Sequence, residues 1–234
     1  MSILRAMTYA LNGSSVFDTE AATQLIRAQR PELVFFQHLP DYELEILAKE
    51  TGLTAYATQG ECGFLSRHKL TALQSVCLGG ADGSCLRADL DITGKRIHLF
   101  NIQLATDPAQ RGQQLARLFA EDLLGANLPC AVLVAGDFSL PLWGSGQWLL
   151  RRRLKQVKHP PWGANYPAVF PIWPRDRFYV RGPIRSLAGQ VITLSTRRGI
   201  KDHLPVITTL ELTDTRIYLT LPEVSEKQMR PVTG

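Results

Sequence analysis

Residues 131–139, AVLVAGDFS, are the stretch around which the rest of the chain arranges itself. Together with the preceding cysteine they contain the longest apolar run, Cys130 to Ala135. That run is strand-sized, far short of the roughly 18 residues of a membrane span. An unbroken apolar strand is the kind that is covered on both faces. This one delivers Gly136-Asp137 to its C-terminal end. Three other segments place polar residues at an end of an apolar strand: VFFQHL (34–39), FNIQLA (100–105) and IKDHLPVITTLEL (200–212). A fifth, WPRDRFYV (173–180), sets Asp176 just before a strand. Any strand end can meet water, but five such segments point to one sheet edge that presents a site.

Outward from this stretch, short apolar runs alternate with amphipathic segments. Strands are expected at Ile3–Leu11, Leu33–Gln37, Leu73–Leu78, Leu86–Ile92 and Arg96–Leu104, and a strand-like stretch at Thr54–Arg67 punctuated by Gly60 and Gly63. The spacing of Ala22, Leu25 and Ile26 predicts a helix over Thr19–Gln29 that Pro31 stops, and a second is expected over Tyr42–Thr51 before Gly52. Leu115, Leu118, Phe119 and Leu123 make the apolar stripe of a helix over Pro108–Leu124, with Gly125 just past its end. In the second half, Leu149–Val157 reads as a short basic segment and Pro160–Pro174 as an irregular loop. Arg177–Val180, Val191–Leu194 and Pro205–Leu212 read as strands. Residues 1–212 are expected to form one domain. Residues 213–234 would add a strand at Arg216–Leu221 and a polar tail.

The chain has 234 residues, 45 % hydrophobic and 20 % charged, a balance that excludes disordered and collagen-like classes. Its N-terminus lacks an A-x-A cleavage site, so a first strand is expected there rather than a signal peptide. Cys62, Cys77, Cys85 and Cys130 show no C-x-x-C spacing, which points to reduced thiols and a cytoplasmic protein. The net charge of +5 is uneven. Residues 1–140 carry 11 Lys and Arg against 15 Asp and Glu, and residues 141–234 carry 15 against 6. A basic half suits an anionic partner, or is simply a solvated surface.

These segments, in this order, resemble the endonuclease/exonuclease/phosphatase superfamily of metal-dependent phosphoesterases, and short single-domain bacterial members in particular. The motifs that carry the resemblance are G-D-F at Gly136–Phe138, D-R-x-x-V at Asp176–Val180 and D-H-x-P-V at Asp202–Val206, with weaker support from L-S-R at 65–67. The resemblance runs from the N-terminus to about Leu212. It implies an α+β fold: a four-layer α/β/β/α sandwich of two mixed sheets flanked by helices, DNase I-like, with a cleft at one end. It also implies hydrolysis of a phosphodiester or phosphomonoester, in which a divalent metal, usually Mg²⁺, stabilises charge while water attacks phosphorus in line. On this pattern Asp137 positions or deprotonates the water, His203 contacts the phosphate or handles a proton, and Asp176 orients His203. Asp202 stands close to the metal.

Five family positions differ here. The family's Asn at the end of the first strand is Ala10, the Glu of its Q-E is His38 after Gln37, and the His of its H-L is Gln103. The Asn of its G-D-F-N is Ser139, and the Ser of its S-D-H is Lys201. Mg²⁺ prefers carboxylate oxygen, whereas imidazole suits Zn or Mn. His38 is therefore either a ligand of a changed metal (Mg, Mn or Zn) or a filler where no metal remains. Gln103, Ser139 and Lys201 are expected near the phosphate, and the Lys201 ammonium could stand in for part of a metal's charge. Without the resemblance, Asp137 reads equally well as a turn residue and His203 as a satisfied histidine. Two functions stay open: a phosphoesterase with an altered metal site, and an inactive member that binds an anionic ligand or a protein.

Arg151, Arg152, Arg153, Lys155, Lys158 and His159 precede Trp162, Tyr166, Phe170 and Trp173. Basic residues with aromatics suit single-stranded nucleic acid or an anionic lipid surface, and hence peripheral membrane contact. The plain alternative is a solvated segment beside a packed loop. His98 is expected to be an ordinary strand histidine.

Overall fold

A computed structural model describes residues 2–11, 17–58, 62–80, 83–125, 128, 130–141, 144–159, 163–193 and 203–213. Twelve strands and four helices are found among them: β1 (Ser2–Ala10), α1 (Thr19–Gln29), β2 (Leu33–Gln37), α2 (Asp41–Thr51), β3 (Thr54–Ala57), β4 (Cys62–Ser66), β5 (Leu70–Cys77), β6 (Ser84–Ile92), β7 (Lys95–Gln103), α3 (Pro108–Leu118), β8 (Ala131–Asp137), α4 (Ser145–Arg153), β9 (Lys155–Gln156), β10 (Asp176–Arg181), β11 (Ile184–Val191) and β12 (Val206–Leu212). Two six-stranded sheets result, ordered β11-β12-β1-β2-β4-β3 and β5-β6-β7-β8-β10-β9. β1 with β2 and β7 with β8 are parallel, and the other pairs are antiparallel.

Alternation assigns the faces. In β8, Leu133 and Ala135 join Leu33, Phe35, Phe64, Leu99 and Phe178 in the core between the sheets. Val132 and Val134 face outward against Leu115 and Leu118 of α3 and Leu150 of α4. On the other sheet, Val34 and Phe36 face Leu25 and Ile26 of α1 and Leu44 and Leu47 of α2. Both sheets are thus covered on both faces, giving the expected four layers, and this is why β2 and β8 read as unbroken apolar runs. α1 begins where the Asp18 side chain accepts from the Ala21 amide at 2.9 Å, and α3 where Asp107 accepts from Gln110 at 2.8 Å.

Three expectations need correction. The stripe over Pro108–Leu124 overshoots: α3 ends at Leu118, and residues 119–125 wrap into turns. Leu123 and Leu124 are still buried in the same core, so the apolar spacing outlives the helix. Gly125 sits where a Cβ would come within 2.4 Å of the Phe119 carbonyl oxygen, which suits the tight turn. The strand expected at Val191–Leu194 runs instead over Ile184–Val191. This edge strand is largely exposed and shifts register between Ser186 and Ala188, which blurs its alternation. Leu149–Val157 contains most of α4 and the short β9. The strand expected at Arg216–Leu221 lies outside the described residues.

The topology gathers the polar-tipped ends at one edge. The C-terminal ends of β1, β2, β7 and β8 meet the N-terminal ends of β10 and β12 there. Along the inward faces the apolar ladder turns polar toward this edge: Leu99 gives way to Asn101 and Gln103, Phe35 to Gln37, Ala135 to Asp137. Asn101 joins the sheets. Its amide donates to the Phe36 and Gly63 carbonyls at 2.9 and 2.8 Å and its oxygen accepts from Gln37 at 2.6 Å. Gln37 in turn accepts from Thr8 Oγ1 at 3.2 Å.

Candidate functional site

Three inward-pointing side chains stand in register across this edge: Gln103 on β7 opposite Asp137 on β8, and Asp137 opposite Asp176 on β10. Gly136 makes the close strand approach possible. Its φ is 142°, and a Cβ there would lie 1.8 Å from the Ile102 carbonyl oxygen. Past the strand, Ser139 takes a φ of 46° and turns back on Asp137. Its amide and hydroxyl donate to Asp137 Oδ1 at 2.7 and 3.0 Å.

His203, just before β12, completes a buried group. Its Nδ1 lies 2.8 Å from Asp176 Oδ2 and its Nε2 lies 4.0 Å from Asp137 Oδ2. Among the described residues, Asp137, Asp176 and His203 form a cluster of ligand-type side chains, one atom of each within 4.8 Å of the others. Burial alone would push His203 down. The charge of Asp176, the hydrogen bond to it and the charge of Asp137 together outweigh burial and hold His203 above its ordinary value. Burial pushes the Asp176 carboxyl up, opposed by the imidazole beside it.

The loop before β10 supplies residues that sequence reading missed. Asn165, fully buried, donates to Asp176 Oδ2 and to the Leu204 carbonyl at 3.2 Å. Its own oxygen accepts from the amides of Arg175 and Asp176 at 2.9 and 3.2 Å. Arg175 Nη2 reaches Asp137 Oδ2 at 3.3 Å and also the Ser139 hydroxyl. Its guanidinium lies over the Tyr166 ring, 4.4 Å from the centroid, and Tyr166 packs on His203 at 4.8 Å. Arg175 was within reach of sequence reading, since it directly precedes Asp176. Asn101 was too, since alternation from Ile97 and Leu99 turns it inward. Asn165 sits in an irregular loop with no pattern around it.

Of the remaining expected residues, His38 lies just beyond β2, half-buried with a φ of 57°, outside the three-residue cluster. Ala10 pairs in register with Gln37. Lys201, Asp202 and Trp162 lie outside the described residues. The basic and aromatic parts of 151–173 separate. Arg153 lies against Phe119, and Lys155 pairs with Val180, four residues and about 13 Å along β10 from Asp176. Val169, Phe170, Ile172 and Trp173 are exposed on the loop that carries Asn165 and Tyr166. His98 is a strand histidine, bonded to Asp89 at 2.7 Å.

Comparison with known proteins identifies the arrangement. The model of the Endonuclease/Exonuclease/phosphatase family matches residues 11–198. The chain belongs to this family. Among solved structures, an endonuclease/exonuclease/phosphatase from Bacteroides vulgatus superposes with a TM-score of 0.76 at 14 % identity, covering 91 % of this chain and 100 % of that one. Another from Beutenbergia cavernae gives 0.71 at 18 % identity, covering 90 % and 72 %. D. rerio TDP2, complexed with a single-strand DNA product, gives 0.73 at 15 % identity, covering 90 % and 100 %. At these identities the likeness shows the fold alone. No curated protein matches the chain. The family match ends at residue 198, so His203 is placed at the site by the geometry of β12. No helix among the described residues is long and apolar enough to cross a membrane.

Proposed function

We propose that the protein is a phosphoester hydrolase in which His203 and Asp137 act on the scissile phosphoester. One observation carries this reading: a buried imidazole held by Asp176 at 2.8 Å turns its other nitrogen toward Asp137. Protonated His203 gives its Nε2 proton to the leaving oxygen as the P–O ester bond breaks. Asp137 takes a proton from the water whose oxygen forms the new P–O bond. The raised affinity of His203 for its proton suits the acid role.

Members of the family commonly use a divalent metal, and the donor set bears on whether one resides here. Ala10 offers only a methyl group, and the Gln37 amide is committed to Asn101 and Thr8. Asp137 Oδ1 already accepts from Ser139, and its Oδ2 faces a guanidinium. His203 and Asp176 occupy one another through Nδ1 and Oδ2, which leaves Asp176 Oδ1 as an enclosed oxygen without a hydrogen bond. We infer that, among the described residues, this set does not fit a hard cation.

The exposed side chains of Val169, Phe170, Ile172 and Trp173 support a substrate with a large apolar or stacking group beside its phosphoester, such as a nucleic-acid strand or a lipid. The four cysteines form no disulfide, which supports a cytoplasmic setting. The test is turnover of bis(p-nitrophenyl) phosphate and p-nitrophenyl phosphate. Hydrolysis that is lost in His203→Ala with folding unchanged is the expected result. A folded wild-type protein that turns over neither would leave the second reading, a family member that binds an anionic ligand without cleaving it.

A further inference from the structure

We propose that Arg175 is the built-in cation of this cleft and binds the phosphate oxygens directly, so that anion binding here needs no divalent metal. The proposal rests on the reading of the edge as a phosphoester site. Two buried carboxylates, Asp137 and Asp176, stand in this group, and their charge opposes a phosphate brought against it. Among the described residues the cationic groups within contact of these carboxylates are His203 and Arg175. Arg175 is the permanently charged one.

Its placement is that of a fixed part. The side chain is 17 % exposed, its backbone amide is held by Asn165, and its guanidinium lies over the Tyr166 ring, which itself packs on His203. Both of its contacts to Asp137 and Ser139 use Nη2. Nη1 and Nε make no hydrogen bond within the described residues, so each keeps an N–H that can donate to a phosphate oxygen. Charge-assisted bonds of this kind are among the stronger hydrogen bonds. The same guanidinium sits beside Asp137 Oδ2, where its charge opposes a divalent ion on that oxygen.

The test is calorimetric titration of inorganic phosphate into the full chain with a chelator present. Binding in chelator is expected, weakened about tenfold in Arg175→Lys and lost in Arg175→Met. A parallel titration of Mn²⁺ should give no binding to the wild type and measurable binding to Arg175→Met, where Asp137 is released. If Arg175→Met fails to fold, Arg175→Lys still decides, because it keeps the charge and the stem but loses the Nη1 and Nε donors. Phosphate binding that appears only when Mg²⁺ or Mn²⁺ is added, or that survives unchanged in both variants, overturns the proposal. The two readings fail separately. Metal-free phosphate binding without turnover sinks the hydrolase and keeps Arg175, whereas turnover that depends strictly on added metal keeps the hydrolase and sinks Arg175.

Discussion

His203 gives its Nδ1 to Asp176 Oδ2 at 2.8 Å, and this one bond settles what the rest of the ring can do. With Asp176 as acceptor, Nδ1 carries a proton, and only Nε2 remains to exchange one with a substrate. Asp176 also supplies the charge that keeps the imidazolium stable in a buried place, while Asn165 and its hold on Leu204 keep the carboxylate and the His203 loop together.

Removing that charge should move a pH profile in a definite direction. On the proposed mechanism protonated His203 is the acid, so turnover should be lost as pH rises through its value, which is raised above the ordinary 6.5. In Asp176→Asn that value falls and the alkaline limb moves to lower pH. His203→Ala should lose roughly 10²- to 10⁴-fold in kcat, the range for one acid–base group. An alkaline limb that stays in place in Asp176→Asn would remove Asp176 from the proton path.

His159 should make the fold sensitive to acid. It is buried against Phe178, its Nε2 lacks a partner, and burial brings it down to about 4. In the unfolded chain it takes up a proton near 6.5. Stability is therefore lost as pH falls from 6.5 to about 4 and falls no further on its account below that. The cost is about 3 kcal/mol. His203, whose value is raised, contributes with the opposite sign: its stabilisation is full below 6.5 and is lost as pH rises through its folded value. Urea unfolding at pH 7 and pH 4.5 should show a smaller difference for His159→Gln than for the wild type.

Gly136→Ala should be among the most damaging single changes. The added carbon would meet the Ile102 carbonyl oxygen at 1.8 Å, so β7 and β8 must part. A loss of at least about 3 kcal/mol is expected from such a clash with backbone. A urea midpoint close to that of the wild type would show that the strands yield more easily than the geometry implies.

Asn101→Ala should weaken the fold with no charged residue touched. It leaves the Phe36 and Gly63 carbonyls and the Gln37 amide without their buried partner, at a cost of about 3 kcal/mol. Phosphate affinity should fall as well, because the tie sets how the two sheets meet at the cleft. Thermal unfolding and phosphate titration of the same variant measure the two effects together.

The layers were legible because each carries its own pattern. β2 and β8 announce burial on two faces, and Asp18 and Asp107 announce helix starts. Asp137, Asp176 and His203 were legible because each stands at a strand end and the family order links them. Arg175 and Asn165 were not, since their roles come from a loop folding back on β10, and no local periodicity encodes that return. The apolar stripe outruns α3 because a turn can bury leucines at helical spacing as well as a helix can. The basic run Arg151–Arg153 and the aromatics Phe170 and Trp173 follow one another in sequence, and sequence order alone does not say whether they share a surface. In space the run lies beside Tyr179–Arg181, at the other end of β10.

β12 lies between β11 and β1, so the last described strand is inserted beside the first. His203 reaches the cleft only on the approach to that strand. A chain still emerging from the ribosome holds Asp137 and Asp176 without the imidazole between them, and its first strand lacks one of its two neighbours. The proposed acid–base pair is therefore complete only once β12 has closed the sheet. On that reading a polypeptide cut short before residue 203 lacks its acid, and closing the sheet supplies it.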